Sequence, residues 1–228
     1  MITIPSYWYF VPVAAILALC MAYNFFKKMI KQPSGTDKMR SIARYVRMGA
    51  YAYLRRQYKT VSIVFVALFL IFVALAFFKI QNPFVPVAFL TGGFFSGLCG
   101  FLGMKTATYA SARTAQGAIS SLNQGLVIAF RSGAVMGLVV VGFGLLDISA
   151  WFFALNYIYD NNVFGFGADI AAKLSLGGWS DALINNDAWR HGKMVEITTT
   201  MLTFGMGASL QALFARVGGG IYTKAADV

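Results

Sequence analysis

Near the C-terminal end of the sequence, four residues could act together on an anionic substrate. Arg216, Gly220, Lys224 and Asp227 follow one another at steps of four, four and three, so in a helix they share one face. A lysine ammonium suits an anionic oxygen such as that of a phosphate, and an aspartate carboxylate suits a hard cation such as Mg²⁺. The spacing therefore predicts phosphate and metal-ion chemistry on this face.

Consecutive glycines at 218–220 lie within the same segment. Glycine is unfavourable inside a helix because it loses more backbone freedom on folding than other residues, so this run predicts close approach of another backbone or of a ligand. The segment is not a nucleotide-binding P-loop. That loop ends in Gly-Lys-Ser/Thr, whereas Ala225 follows Lys224 here.

Long apolar stretches must position this face. Of the 228 residues, 58% are hydrophobic and 12% are charged, whereas about a quarter of an average soluble protein is charged. Five stretches have roughly the 20 residues that a membrane-spanning helix requires: 7–26, 61–78, 86–104, 133–155 and 195–215. The sequence thus predicts an all-α, polytopic transmembrane helix bundle. No basic residue precedes Lys27, so we expect the first stretch to be a retained span and not a signal peptide.

The distribution of positive charge predicts the orientation of these spans. Fifteen of the 19 basic residues fall on one side of the predicted membrane, in residues 27–59 and 105–131 and after the fifth span. The positive-inside rule then places the N-terminus outside and the C-terminus in the cytoplasm. We attribute the net charge of +11 to this topology and not to nucleic-acid binding.

Two further patterns concern packing. Glycines in the third stretch, including Gly93 and Gly97, predict close helix packing in lipid. Apolar residues at helical spacing across 115–130 predict that the third and fourth helices extend into the cytoplasm. We expect Cys20 and Cys99 to be buried and unpaired, and a single histidine without a cysteine pair predicts no transition-metal site.

The string RVGGGIYTKAADV, residues 216–228, resembles the signature of the membrane-bound, ion-translocating pyrophosphatases. Segments 49–58, 96–105 and 129–137 are also similar to motifs of this family, so the resemblance covers most of the chain. It implies a dimeric pump of about sixteen spans that lies in a prokaryotic inner membrane. Such a pump hydrolyses pyrophosphate at the cytoplasmic face, uses Mg²⁺ and in some members K⁺, and moves H⁺ or Na⁺ outward.

The resemblance also implies roles for single residues. Lys224 would contact pyrophosphate, Asp227 would bind Mg²⁺ or position the attacking water, and Arg216 would couple hydrolysis to the ion path. An arginine at the membrane boundary also has a simpler interpretation, as an anchor to lipid headgroups. Residues 1–228 would form the N-terminal part of one transmembrane pump domain, cut within the signature and inactive alone.

Two other functions remain open from the residues themselves. One is a membrane assembly module whose basic segment 27–59 binds anionic lipid, with residues 39–54 as an amphipathic helix lying on the headgroups. The other is a channel or secondary transporter that uses Asp147 and Glu196, because carboxylates at membrane depth are costly. Helix capping or structural hydrogen bonding would explain these two carboxylates equally well.

Overall fold

The computed structural model describes residues 6–177 and 179–227, in which all regular secondary structure is helical. A 3₁₀ turn, Ser6–Tyr9, leads into the first helix. The long helices are α1 (Phe10–Ile30), α2 (Asp37–Phe77), α3 (Val85–Ser120), α4 (Leu122–Asp160) and α6 (Asp187–Asp227). Between α4 and α6 lie the short helix α5 (Phe166–Lys173) and two 3₁₀ segments, Val163–Gly165 and Asp181–Asn185. The predicted all-α bundle is confirmed.

Helix length shows that most of the bundle extends beyond a bilayer. Helices α2, α3, α4 and α6 contain 41, 36, 39 and 41 residues. At about 1.5 Å per residue they exceed 50 Å, against about 30 Å for the hydrocarbon core. The predicted extension of the third and fourth helices past the membrane is confirmed.

Four helical segments of the described chain are both long and apolar enough to cross a membrane: Ser6–Ile30, Asp37–Phe77, Val85–Ser120 and Leu122–Asp160. The predicted fifth span lies within α6, which is long enough but is not among these four. Glu196, Gln211 and the threonines at 198–200 make α6 more polar than the other long helices. Contact with α3 along its length explains how such a helix is accommodated.

One prediction about the basic end of the bundle is wrong. Residues 37–77 form one uninterrupted helix, so the basic segment continues the second span and does not lie in the membrane plane.

Helices α3 and α4 are separated at Ser121, whose extended backbone ends α3 and whose Oγ accepts the backbone N–H of Gln124 at 3.2 Å. Ile119, Leu122 and Phe130 of the apolar stripe are exposed.

Helix α3 is the centre of the bundle, since it packs against α2, α4 and α6, while α1 packs along α4. The closest crossing joins α3 to α6 at Gly92 and Gly207. A Cβ atom on Gly92 would overlap the carbonyl of Phe204, and a Cβ atom on Gly207 would overlap the carbonyl of Phe89. The predicted role of the α3 glycines in close packing is confirmed.

The cysteines differ from each other in their surroundings. Cys99 is buried, as expected, between α3 and α4, and its Sγ lies 3.8 Å from the carbonyl oxygen of Val139. Cys20 is exposed on α1, so the prediction that it is buried is wrong. A lipid-facing helix surface is apolar, which is why hydrophobic neighbours in the sequence do not indicate burial in a membrane protein.

Candidate functional site

The predicted site face lies in the last third of α6. The helix is continuous from Asp187 to Asp227, so Arg216, Gly220, Lys224 and Asp227 do share its register. At about 100° per residue the four positions fall within an arc of about 80°. Arg216 and Lys224 are exposed, and the side chain of Asp227 lies outside the described part of the structure. The predicted placement of the four residues on one side of a helix is confirmed.

The first glycine of the run, Gly218, packs α6 against α2 on the side of α6 opposite this face. A Cβ atom at Gly218 would overlap the hydroxyl of Tyr53, whereas a Cβ atom at Gly219 would meet no atom of the described residues within 4 Å. The predicted close approach therefore applies to Gly218, and its partner is a tyrosine side chain. Tyr53 belongs to the segment 49–58 that resembles a family motif, so two family-like segments meet at this point.

A cavity of about 460 Å³ opens beside this contact, between α2, α3, α4 and α6. Its walls are mostly apolar, with Gln57, Tyr58, Ser96 and Gln211 among the polar lining residues. The Tyr58 hydroxyl donates to the carbonyl of Gly97 at 2.6 Å, and the Ser96 hydroxyl donates to that of Ala208 at 3.0 Å. These bonds fix α2 and α6 on either side of α3, so the position of the site face depends on all three helices.

At the opposite end of the bundle, Glu196 belongs to a network of polar side chains. Its Oε2 accepts a hydrogen bond from Asn82 Nδ2 at 2.8 Å, and its Oε1 pairs with Lys173 Nζ at 2.7 Å. Asn82 also donates to the Tyr159 hydroxyl at 2.6 Å. Helix α6 begins nine residues before Glu196, at Asp187, so the prediction that Glu196 caps this helix is wrong.

Asp147 is buried in the interior of α4, thirteen residues before the helix ends, so it does not cap the helix. Its Oδ2 has no hydrogen-bond partner among the described residues. Hydrogen bonds nearby join α4 to α3: Trp151 Nε1 donates to the Thr91 hydroxyl at 2.9 Å, and that hydroxyl donates to the carbonyl of Ala88. Asp147 is thus a buried carboxylate beside the Thr91 hydroxyl, with one oxygen unpaired among the described residues.

Sequence reasoning missed two groupings of charged residues. Lys193 of α6 is buried against Asp160 at the outer end, and Arg47 and Arg113 meet at Tyr109 at the basic end. The sequence pattern does not indicate either grouping, because the partners are far apart in the chain. Asp160 and Lys193 are separated by 33 residues, and Arg47 is 62 residues from Tyr109 and 66 from Arg113. Only helix packing brings them together.

The described residues do not by themselves form a magnesium site. In 6–177 and 179–227, with the side chains of Asp181 and Asp227 excluded, no group of three or more His, Cys, Asp or Glu side chains could hold a metal ion. Four of the described acidic side chains pair with Lys or Arg near the ends of the bundle, whereas Asp147 lies apart from them inside α4.

The fold is that of a polytopic α-helical membrane protein. It has four apolar helices of membrane length and a fifth long helix that is more polar and carries the glycine run at one end. The family model described as inorganic H⁺ pyrophosphatase matches residues 16–228. The chain therefore belongs to this family, as the resemblance of the signature predicted.

Several curated proteins are similar to the chain over nearly all of its length. It is 59% identical over 222 residues to a putative K⁺-stimulated pyrophosphate-energized sodium pump of Bacteroides thetaiotaomicron. It is 37% identical over 218 residues to the K⁺-insensitive pyrophosphate-energized proton pump 2 of Moorella thermoacetica. A K⁺-stimulated pyrophosphate-energized sodium pump of Thermotoga maritima is 33% identical over 221 residues. These matches cover 93–97% of this chain but 26–27% of each relative, so the chain spans about a quarter of their length.

Proposed function

We propose that this chain is the N-terminal part of a pump that hydrolyses pyrophosphate at the cytoplasmic membrane face and moves a cation outward. The observation that carries the proposal is the family match over 16–228, which ends in the face at Arg216, Lys224 and Asp227 on α6. The relatives bear names of pyrophosphate-energized pumps, and the chain matches about a quarter of their length.

Sodium is the proposed transported ion, with K⁺ as an activator. The relative with 59% identity bears the name of a K⁺-stimulated sodium pump, whereas the proton pump described above is 37% identical. We infer that the helices of this chain form part of the framework of a sodium-transporting pump. Transport of H⁺ is the alternative, and the measurement described below distinguishes it from transport of Na⁺.

The proposed site works through electrostatics. Pyrophosphate carries several negative charges, which Lys224 would partly balance with a point charge at the exposed end of α6. Asp227 would provide one carboxylate toward Mg²⁺, and we propose that further carboxylates come from the part of the pump outside this chain. Mg²⁺ would offset phosphate charge in the bound substrate. Because the described residues hold no complete metal site, we expect the 228-residue chain alone to lack hydrolysis.

Arg216 lies eight residues before Lys224, about 12 Å closer to the apolar part of α6. We propose that it links the hydrolytic end of α6 to the ion path. We further propose that the C-terminal end of α6 lies in the cytoplasm. The helices would contact membrane lipids, and the full-length pump would be a homodimer in a prokaryotic cell membrane. The cytoplasmic location follows from the bias of basic residues described above.

The test uses the full-length pump that contains this chain, in inverted membrane vesicles. We expect pyrophosphate to drive uptake of ²²Na⁺ in the presence of Mg²⁺, and K⁺ to increase that uptake. A proton ionophore should not abolish it if Na⁺ is the transported ion. Acidification of the vesicle lumen without Na⁺ uptake would identify a proton pump, and transport that proceeds equally without pyrophosphate would overturn the pump function.

A further inference from the structure

Two arginines share one tyrosine ring at the basic end of the bundle. The guanidinium carbon of Arg47, on α2, lies 3.6 Å from the ring centroid of Tyr109, on α3. The guanidinium carbon of Arg113, one turn further along α3, lies 6.0 Å from the same centroid. Arg113 also donates from Nη1 to the carbonyl of Tyr109 at 2.6 Å and from Nε to the carbonyl of Ile30 at 3.3 Å. The arginine pair, Arg47 and Arg113, therefore joins three helices.

The charge of this pair is not balanced by the described side chains. Both guanidinium groups are cationic at every physiological pH, so they repel each other. The ion pairs of the described residues involve Arg40, Lys173, Arg190 and Lys193, and neither Arg47 nor Arg113 is among them. In addition, Nε of Arg47 is buried and has no hydrogen-bond partner among the described residues. Two adjacent cations with an unused donor favour an anion at this position.

The depth of the pair in the membrane indicates the source of that anion. Helix α1 contains 21 residues and ends at Ile30, so its length, about 32 Å, matches the hydrocarbon thickness of about 30 Å. The carbonyl of Ile30, which binds Arg113, therefore lies near the level of the lipid headgroups. Next to this carbonyl, Met29, Ala110 and Ile128 form a buried apolar cluster in contact with Tyr109 and Ile30. The arginine pair therefore lies beside an apolar cluster, near the level of the lipid headgroups.

We propose that Arg47 and Arg113, positioned on the ring of Tyr109, bind the phosphate group of an anionic membrane phospholipid. A guanidinium fork can donate two parallel hydrogen bonds to phosphate oxygens, and the ring fixes the orientation of the Arg47 fork. A bound lipid would connect α1, α2 and α3 at the end of the bundle where the site face of α6 lies. The inference rests on the membrane placement in the proposed function, but it does not rest on pyrophosphate hydrolysis.

The first experiment measures stabilisation by lipid of the full-length pump in nanodiscs. With phosphatidylglycerol at about a third of the lipid, the wild-type protein should unfold at a higher temperature than in phosphatidylcholine alone. The variant R47Q/R113Q should lose most of this shift. The control R44Q/R55Q removes the same charge from exposed positions of α2 and should keep the shift. An unchanged shift in R47Q/R113Q, or an equal loss in the control, would overturn the proposal.

The same samples distinguish binding of a soluble anion from binding of a lipid. Pyrophosphate or inorganic phosphate, added to phosphatidylcholine nanodiscs, should not produce a shift that depends on Arg47 and Arg113. If it does, the site binds a soluble phosphate and the lipid assignment is wrong. Hydrolysis is measured in parallel, so that loss of the proposed function is distinguished from loss of lipid binding.

A second measurement leaves the protein unmodified, in case R47Q/R113Q does not fold. Phosphatidylglycerol with a photoreactive group on its headgroup should crosslink to the peptides that contain Arg47 and Arg113, and an excess of unlabelled phosphatidylglycerol should compete. Crosslinks confined to other segments would overturn the proposal. The conservative variant R47K/R113K keeps both charges but loses both forks, so we expect it to retain only part of the thermal shift.

Discussion

The ammonium Nζ of Lys193 lies 2.7 Å from Oδ1 of Asp160, and only 2% of the lysine side chain is exposed. The ammonium also lies 5.4 Å from the ring centroid of Trp189. This pair fastens the C-terminal end of α4 to the first turns of α6, at the end of α6 opposite the site face. A buried charge is tolerated there because its partner and the aromatic ring replace water.

Removing either member of this pair should destabilise the protein. Lys193→Met leaves the carboxylate without its partner, and Asp160→Asn leaves a buried ammonium, so each should reduce the free energy of unfolding by about 3 kcal/mol. The double variant Asp160→Leu with Lys193→Met should recover most of that loss, because it leaves no uncompensated charge. Thermal unfolding in detergent measures the series. Single variants within about 0.5 kcal/mol of wild type would show that the pair is unimportant.

The α3–α6 crossing gives a second prediction. Gly207→Ala would place a methyl group on the carbonyl of Phe89, so we expect a large loss of thermal stability and of activity in the full-length pump. Gly205→Ala is the matched control, because no atom lies within 4 Å of its new methyl group among the described residues. Alanine favours a helix over glycine by about 1 kcal/mol, so the control should be neutral or slightly stabilising. Equal effects of the two substitutions would contradict the crossing.

The orientation of the bundle can be tested by cysteine labelling. Cys20 is exposed and must first be replaced, for example by Ala, so that it does not react. In that background, Asp187→Cys, at a side chain that is 98% exposed, should react with an impermeant reagent added to intact cells. Ser120→Cys, at the other end of the bundle, should react only after the membrane is opened. The reverse pattern would place Lys224 outside and overturn a cytoplasmic site.

Lys224 and Asp227 should both be essential in the full-length pump. Lys224→Ala removes a positive charge from the proposed substrate site and Asp227→Ala removes a carboxylate, so each should lower pyrophosphate hydrolysis and ion transport together by at least about a hundredfold. Lys173→Ala is the control: it removes a lysine from the opposite end and should leave hydrolysis largely unchanged. Near-normal hydrolysis in Lys224→Ala would rule out the proposed contact.

Arg216 should affect coupling more than hydrolysis. If it links the two processes, Arg216→Ala should reduce the number of ions moved per pyrophosphate consumed, with both rates measured in the same vesicles. Arg216→Lys should restore coupling only in part, because a compact ammonium does not reproduce the guanidinium fork. An unchanged ratio in Arg216→Ala would leave Arg216 as an exposed anchor to the headgroup layer.

The sequence determined the class of the protein, the number of its long helices and the face of α6 that bears Arg216 and Lys224. These features follow from local rules: apolar length indicates a span, and residues three or four apart share a face wherever the backbone is helical. The family resemblance could likewise be stated from residues 216–228 alone. None of these conclusions required knowledge of which helices touch.

The tertiary structure decided which faces meet. In lipid, a helix that is apolar all round does not reveal its inner side, so the exposed Cys20 and buried Cys99 lie in similar surroundings in the sequence. For the same reason the pattern could not pair Lys193 with Asp160 or Glu196 with Asn82, or place Arg47 on Tyr109. These contacts depend on the rotation and crossing point of whole helices, which close approach at Gly92, Gly207 and Gly218 fixes.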